Sequence, residues 1–525
     1  MLLSALAASI GAKALLLGIR AVPFNADEAV VALMAKHILQ GERPLFFYGQ
    51  AYMGSLDAIL VAGGFALFGA HVWVVRAVQV LLFCGTLILW HRFCEEGFGS
   101  RAIADAAVLL LAVPAVMVTL YTTISLGGYG EALFFGSLSM LLALQIARGK
   151  STLGRWLGLG LATGIGFWSF PLSLVLTVPA WLTAAITAIR LPVKADAGIR
   201  RWLRFILLGA GTILGALPWI IGWIQTGATV LEEIGGSAIA GALQGDAWAV
   251  ISTRLLNFFL FGLSASAGLR PSWELRWLVP PILPVVLLLD LAVIAFAFSR
   301  LRLRDAARPA RGMMAGAAVF LFLVYLLTPF GNDPSGRYWL PLALTTAAFA
   351  AEFILSAAAR VGRAAYLMLI LLIVYQAAGM ADCAAHNPPG ITTQFDPVAQ
   401  VDQRDLPAVI AFLREHGETR GYTNYWVSFP LAFLSDEEFI FIARLPYHPD
   451  LVYTPRDDRY PPYDGLVENA DRIAYITTRN PVLDAALVSG FSRLDVDYQI
   501  KQIGDFRIYY ALSRVVRPEE ILPAS

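Results

Sequence analysis

Charge is what this sequence has least of. Asp, Glu, Lys and Arg make up 15% of its 525 residues, where a soluble globular domain carries about a quarter. Hydrophobic residues reach 58%, and the mean hydropathy is +0.65. A single soluble globule and a disordered chain are both excluded. Cysteine is scarce as well: Cys84, Cys94 and Cys383 are too few for a disulfide framework or a cysteine-rich zinc site. The formal net charge is +1, so bulk charge gives no reason to expect nucleic acid as a partner. Internal repeats and low-complexity tracts are absent.

Long apolar runs are what it has in plenty. A membrane-spanning helix needs about 20 mostly apolar residues. Runs near 1–19, 72–91, 102–120, 131–147, 154–170, 171–189, 203–223, 277–298, 313–330, 338–358 and 364–383 meet that need, eleven in all. The first contains Lys13, and no A-x-A-like cleavage site follows it, so it reads as a span and not as a signal peptide. Arginines recur in alternate connections: Arg92 and Arg101; Arg148 and Arg155; Arg190, Arg200, Arg201 and Arg204 with Lys194; Arg300 to Arg311; Arg360 and Arg363. The positive-inside rule makes these loops cytoplasmic and puts the C-terminus outside a plasma (inner) membrane. Residues 55–69 and 250–268 are expected as helices at the outer interface, or dipping partly into it.

Composition changes after Cys383. The expected architecture is a polytopic α-helical membrane part, residues 1–384, with outer juxtamembrane helices, followed by an extracytoplasmic α/β domain, residues 385–525. Within the latter, 403–416, 425–434 and 480–489 read as helices, and 419–423, 439–443, 472–477 and 506–512 as strands. Pro446–Asp464 (PYHPDLVYTPRDDRYPPYD) is a long Pro/Tyr-rich loop, and loops of that length are usually functional or mobile.

Three polar segments fall at the outer ends of spans. After the first span comes ADEAVVALMAKHILQGERP, with Asp27 and Glu28 in the first turn of a helix that Asn25 or Asp27 can cap. The bland reading is a cap with a favourable helix-dipole interaction. Glu131 opens the fourth span after a Gly-Gly-Tyr-Gly turn, with the same bland reading. Arg337, followed by Tyr338 and Trp339, begins the tenth span. It reads either as an interfacial anchor or as a planar fork aimed at phosphate oxygens. Two acids and an arginine on one face suit transfer from a phosphate-linked lipid: an acid accepts the proton of an attacking hydroxyl, and an arginine stabilises the departing phosphate. Asp290, inside the eighth span, stands apart and reads as structural. His37, His71 and His91 read as interfacial or loop residues.

These segments, in this order and topology, resemble the GT-C glycosyltransferases, in particular the protein O-mannosyltransferase-like and aminoarabinose-transferase-like enzymes of glycosyltransferase family 39. The likeness rests on the acidic pair, on YGQAYMGSLDAILVAGGFALFG, on Glu131 and on RYWLPL, and covers residues 1 to about 350. It implies inverting transfer of a sugar from a polyprenyl-phosphate donor to a protein, lipid or glycan acceptor on the outer side of the membrane. Asp27 takes the catalytic acidic position as general base, with Glu28 beside it and Glu131 as a second acid. Arg337 and Tyr338 face the donor phosphate, and Tyr48, Gln50 and Tyr52 line the donor and acceptor loop. Here Tyr48-Gly49-Gln50 stands where relatives often have a Lys-Pro-Pro-like segment, so a lysine that would meet phosphate is missing. The pattern makes no cofactor certain. A divalent metal, Mg²⁺ or Mn²⁺, would find carboxylates in Asp27, Glu28 and Glu131. The rival readings are a transporter or flippase for a lipid-linked sugar, and an assembly protein whose outer tail binds a partner.

Overall fold

The computed structural model describes residues 1–190, 197–227, 247–448 and 450–522, and the side chains of 197–201 lie outside that description, as does Lys194. Helix occupies most of each of the eleven predicted stretches, though that of 277–298 begins only at Leu283. By length and composition, seven helices among the described residues can cross a membrane, or eight if one bent pair counts as a single span. That bent pair, Trp202–Gly215 and Leu217–Thr226, turns by 56°, with a proline in the first turn of its second half. Arg337–Ala385 passes as one 49-residue segment, although it comprises Leu340–Val361 and Tyr366–Ala385 with a tight turn between. Leu2–Gly18 and Leu153–Ser169 have 17 residues each, near the lower limit for a span. The predicted span 102–120 is broken into Arg101–Ala112 and Val116–Tyr121, because Pro114 lies between them and cannot continue the first helix.

Leu56–Phe68, at 13 residues, is too short to span, as expected. Ala247–Ser266 is long and apolar enough by itself, unlike the interfacial reading of 250–268. Its Phe259 and Leu263 share a groove with Asp290 and Ile294 of the Leu283–Arg300 helix, and its own polar contacts reach the connection after Leu327. Arg254 donates to the Leu326 carbonyl at 3.1 Å and Asn257 to the Gly331 carbonyl at 2.9 Å. Arg270, just past its C-terminus, donates to the Pro334 carbonyl. The middle of this helix and the segment just past it thus grip the start and the end of the same connection between two spans.

Two features order the bundle. Gly160 and Gly164 face Gly211 and Gly215, where any Cβ would meet opposing backbone, so these helices pack at backbone contact, as small residues permit in membranes. The Arg-rich connections gather at one end: Arg148 reaches the carbonyls of Gly97 (2.8 Å) and Ala306 (3.1 Å), and Arg311 pairs with Glu352 at 2.6 Å and Asp305 at 2.7 Å. A buried arginine held between carboxylates keeps its charge compensated.

A short hairpin, β1 (Phe46–Phe47) and β2 (Gln50–Gly54), follows helix Ala26–Leu39. The C-terminal part builds a five-stranded sheet from β3 (Arg420–Thr423), β4 (Ile440–Ala443), β5 (Ala474–Thr478), β6 (Gln499–Ile503) and β7 (Phe506–Tyr510), in the order β4-β3-β5-β7-β6. β3 is parallel to β4 and β5, and β7 is antiparallel to β5 and β6. The predicted strands and helices there are all present, within a few residues. Among the described residues, β6 and the short helices Pro462–Glu468 and Pro518–Ile521 are additional to the expected elements. The QIKQI of β6 is almost wholly exposed at the sheet edge, where polar residues blunt further pairing and mask the apolar alternation.

The sheet region is fastened to the helical part beside Asp27. Helix Tyr425–Leu434 packs on helix Ala26–Leu39, and Phe433 meets Phe24 (5.7 Å) and Phe65 (6.1 Å). Lys36 pairs with Asp436 (2.6 Å) and Glu437 (2.9 Å), and Glu437 also meets His37 (3.0 Å) and the Tyr463 hydroxyl (2.7 Å). These partners outweigh burial and hold the Glu437 carboxyl down at about 2.

Candidate active site

Asn25 caps helix Ala26–Leu39 by accepting from the Glu28 amide at 3.0 Å. Asp27 is therefore released from capping. Successive helical residues point about 100° apart, and the two acids diverge. Asp27 faces a cavity of about 330 Å³ between the helical part and the sheet region. Glu28 is fully buried on the other side, where Arg76 Nε binds Oε1 at 2.7 Å and Nη2 binds Oε2 at 3.0 Å. Burial pushes the Glu28 carboxyl up, and Arg76 pulls it back only in part.

Arg337 reaches the same cavity from the start of the 340–361 helix. Gly336 precedes it with φ +79°, and a Cβ there would lie 2.6 Å from that of Ala265, so only glycine makes this turn. The Arg337 guanidinium pairs with Asp333 at 2.6 Å and lies over the Tyr338 ring at 5.0 Å. Its Nε has no partner among the described residues. Gln50, Tyr52 and Tyr338 line the cavity too, with Tyr121 and Tyr129 from the helical part.

The opposite wall comes from the sheet region. Tyr425, at the start of its helix, donates its hydroxyl to Asp27 Oδ1. Trp426 and Tyr447 lie beside it, and the long loop contributes Arg456, Asp457 and Arg459. The Arg459 guanidinium sits over the Tyr425 ring at 5.3 Å. With the Gln50 amide oxygen turned toward it, Arg459 donates twice, at 2.7 and 2.8 Å. Gly49, at φ +67°, admits this approach, since a Cβ there would fall 2.8 Å from Arg459 Cδ and 3.2 Å from its Cα. Burial pushes the Asp457 carboxyl up to about 7; Arg459 pulls it down and the negative charge of Asp27 adds to the rise.

Of the residues expected at the site, Asp27, Arg337, Tyr338, Gln50 and Tyr52 meet around one cavity. Glu28, Glu131 and Tyr48 do not line it. Glu131 is fully buried, with neither oxygen paired to another of the described residues. Asp57 is close enough to act on it electrostatically, and accepts from Gln79 (2.9 Å) and Ser125 (2.5 Å). Tyr48 joins a separate cluster: its hydroxyl is 2.5 Å from Glu42 and 3.1 Å from His37, and its ring stacks on Tyr460 at 4.8 Å. Since Tyr460 follows Arg459, that cluster pins the loop from behind. Asp290 borders a separate apolar groove with Phe259, Leu263 and Trp277.

The expected carboxylate set for a divalent metal is therefore not assembled. No group of three or more His, Cys, Asp or Glu among the described residues is arranged to hold one. The cavity supplies two carboxylates, Asp27 and Asp457.

A second, apolar groove of about 210 Å³ opens beside the cavity, lined by Leu172, Val175, Phe320, Val324 and Phe330 among others. Tyr52, Phe170 and Tyr338 belong to both. The two spaces adjoin across these three rings.

No protein-family model matches the sequence, and no curated protein matches it. Solved structures do. ArnT from Cupriavidus metallidurans bound to undecaprenyl phosphate is 12% identical, with a TM-score of 0.55 over 94% of this chain and 95% of that one. The apo form of the same protein gives 11% identity and a TM-score of 0.52, covering 93% of each. The Archaeoglobus fulgidus oligosaccharyltransferase, in complex with Zn and sulfate, gives 12% identity and a TM-score of 0.50 over 90% of this chain and 67% of that one. The chain thus has the fold of the GT-C glycosyltransferases, the superfamily to which both neighbours belong.

Proposed function

We propose that this protein is an inverting glycosyltransferase that moves a sugar from a polyprenyl-phosphate donor to an acceptor on the outer side of the membrane. The observation that carries this reading is the single cavity lined by both Asp27 and Arg337, with an apolar groove against it. An amphiphilic donor has the same two halves. Its sugar phosphate suits the polar cavity and its prenyl chain suits the groove, with Tyr52, Phe170 and Tyr338 at the join.

In the proposed reaction the acceptor hydroxyl enters beside Asp27. Asp27 takes its proton as the oxygen attacks the anomeric carbon. The bond from that carbon to the phosphate oxygen breaks, and its electron pair leaves on the phosphate. Attack and departure occur on opposite faces, so the configuration inverts. One base and phosphate stabilisation suffice, without a covalent intermediate. Arg337 stabilises the departing phosphate, helped by the guanidinium groups across the cavity. The transferred group belongs to the hexose or pentose class. The ArnT structure, described with undecaprenyl phosphate, and the oligosaccharyltransferase fold support a lipid-linked donor. No step is routed through a metal.

The test uses purified protein in liposomes with a labelled polyprenyl-phosphate sugar. Release of polyprenyl phosphate together with a glycosylated acceptor is the expected result. Movement of label between leaflets without cleavage would overturn the reading in favour of a transporter.

A further inference from the structure

We propose that Tyr425 is a positioning residue for the Asp27 carboxylate, so that the C-terminal region completes the catalytic base. This rests on the transferase reading above and goes beyond it.

Tyr425 is 2% exposed, and its hydroxyl points out of the sheet region to Asp27 Oδ1. It is the one hydrogen-bond partner of that side chain shown among the described residues. The tyrosine itself is held on several sides. It starts a helix directly after β3, where Asn424 caps by accepting from the Trp426 amide (3.0 Å) and donates to Thr478 at the end of β5 (2.8 Å). Trp426 and Phe429 hold its ring edge-on at 4.9 and 5.4 Å. Arg459 covers the ring face and ties it to Gln50 on the helical part. A rigid donor of this kind does two things. It fixes the carboxylate rotamer at the wall of the cavity that the incoming hydroxyl would enter. It also stabilises the charged form, the form that accepts a proton.

The other ionisable groups around the cavity that Asp27 lines are Arg337, Arg456, Arg459, Asp457, Tyr52, Tyr121, Tyr129, Tyr338 and Tyr447. Tyr425→Phe removes one oxygen and leaves them all in place. The expected result is a fall in kcat of about ten- to hundredfold, the range for a hydrogen bond to a charged group. The KM for the lipid donor should stay near wild type. The acid limb of the pH–rate profile should move to higher pH, because the carboxylate that takes the proton has lost a hydrogen-bond donor. Incorporating 3-fluorotyrosine at position 425 makes the phenol a stronger donor and should move the same limb the opposite way, in a protein with native packing. Should Tyr425→Phe fail to fold, that second variant decides alone. A limb unmoved in whichever variant folds, or a loss of Tm without any change in the profile, would overturn the proposal. A wild-type protein that releases no polyprenyl phosphate would instead overturn the transferase reading on which it stands.

Discussion

The two walls of the cavity are built in different ways. On the helical wall, Asp27 and Arg337 stand at the ends of helices, each fixed by local backbone: an asparagine cap for the first, a left-handed glycine turn for the second. On the facing wall, Tyr425 follows a parallel strand, while Arg456, Asp457 and Arg459 come from an irregular loop pinned by Tyr460. The difference suggests a division of labour: reactive charge where the backbone holds it rigidly, fitting groups where the chain can vary. A rigid scaffold carrying adaptable loops is the usual arrangement of binding sites.

Substitutions along the helical wall should give the largest effects. Asp27→Asn should lower turnover by about 10²–10⁴-fold, the usual worth of a general base, without shifting the thermal midpoint; steady-state transfer and a melt in detergent check both. Glu28→Ala should do the reverse. It strands the buried Arg76 guanidinium, and breaking such a pair costs about 3–5 kcal/mol of stability. Turnover per folded molecule should change little. If both variants lost activity alike with no loss of stability, the divergence of the two acids would be disproved. Arg337→Ala should weaken lipid-donor binding and turnover together, by about tenfold or more, read by titration with polyprenyl phosphate and by transfer rate. An unchanged affinity would make Arg337 a mere anchor.

The facing wall should answer more gently. In the folded protein Asp457 holds its proton up to about pH 7, against about 4 for an unfolded chain. Its contribution to stability is therefore full below pH 4 and lost as pH rises through 7. Asp457→Asn should abolish that slope, so its melting temperature relative to wild type should rise between pH 5 and pH 8. Parallel melting curves across that range would show that Asp457 faces solvent freely.

The helical wall was the legible one. Hydropathy marks the spans, Asn25 marks a cap, and an arginine before Tyr-Trp at a span boundary stands out against apolar surroundings. Glu28 and Glu131 share the local signature of Asp27, an acid in the first helical turn. Sequence cannot say which way each points, because that depends on Arg76 and Asp57 arriving from elsewhere in the chain. Tyr48 was misread for a related reason: its loop does reach the cavity, through Gln50 and Tyr52, but its own ring turns outward to Tyr460. Tyr425 carries no local signal at all; it is one aromatic in a run of them. Arg456 to Arg459, the RDDR of the long loop, did carry one. Four consecutive charges in a chain this poor in charge, inside a loop too long to be a simple connection, marked the place without revealing what it faced.

Gly49 has a practical consequence. It is where the hairpin of the helical part and the arginine of the sheet region come within touching distance, with no room for even one carbon more. A methyl group placed there would act as a wedge, prising the halves apart at the mouth of the chamber while leaving every polar group of the reaction chemically intact.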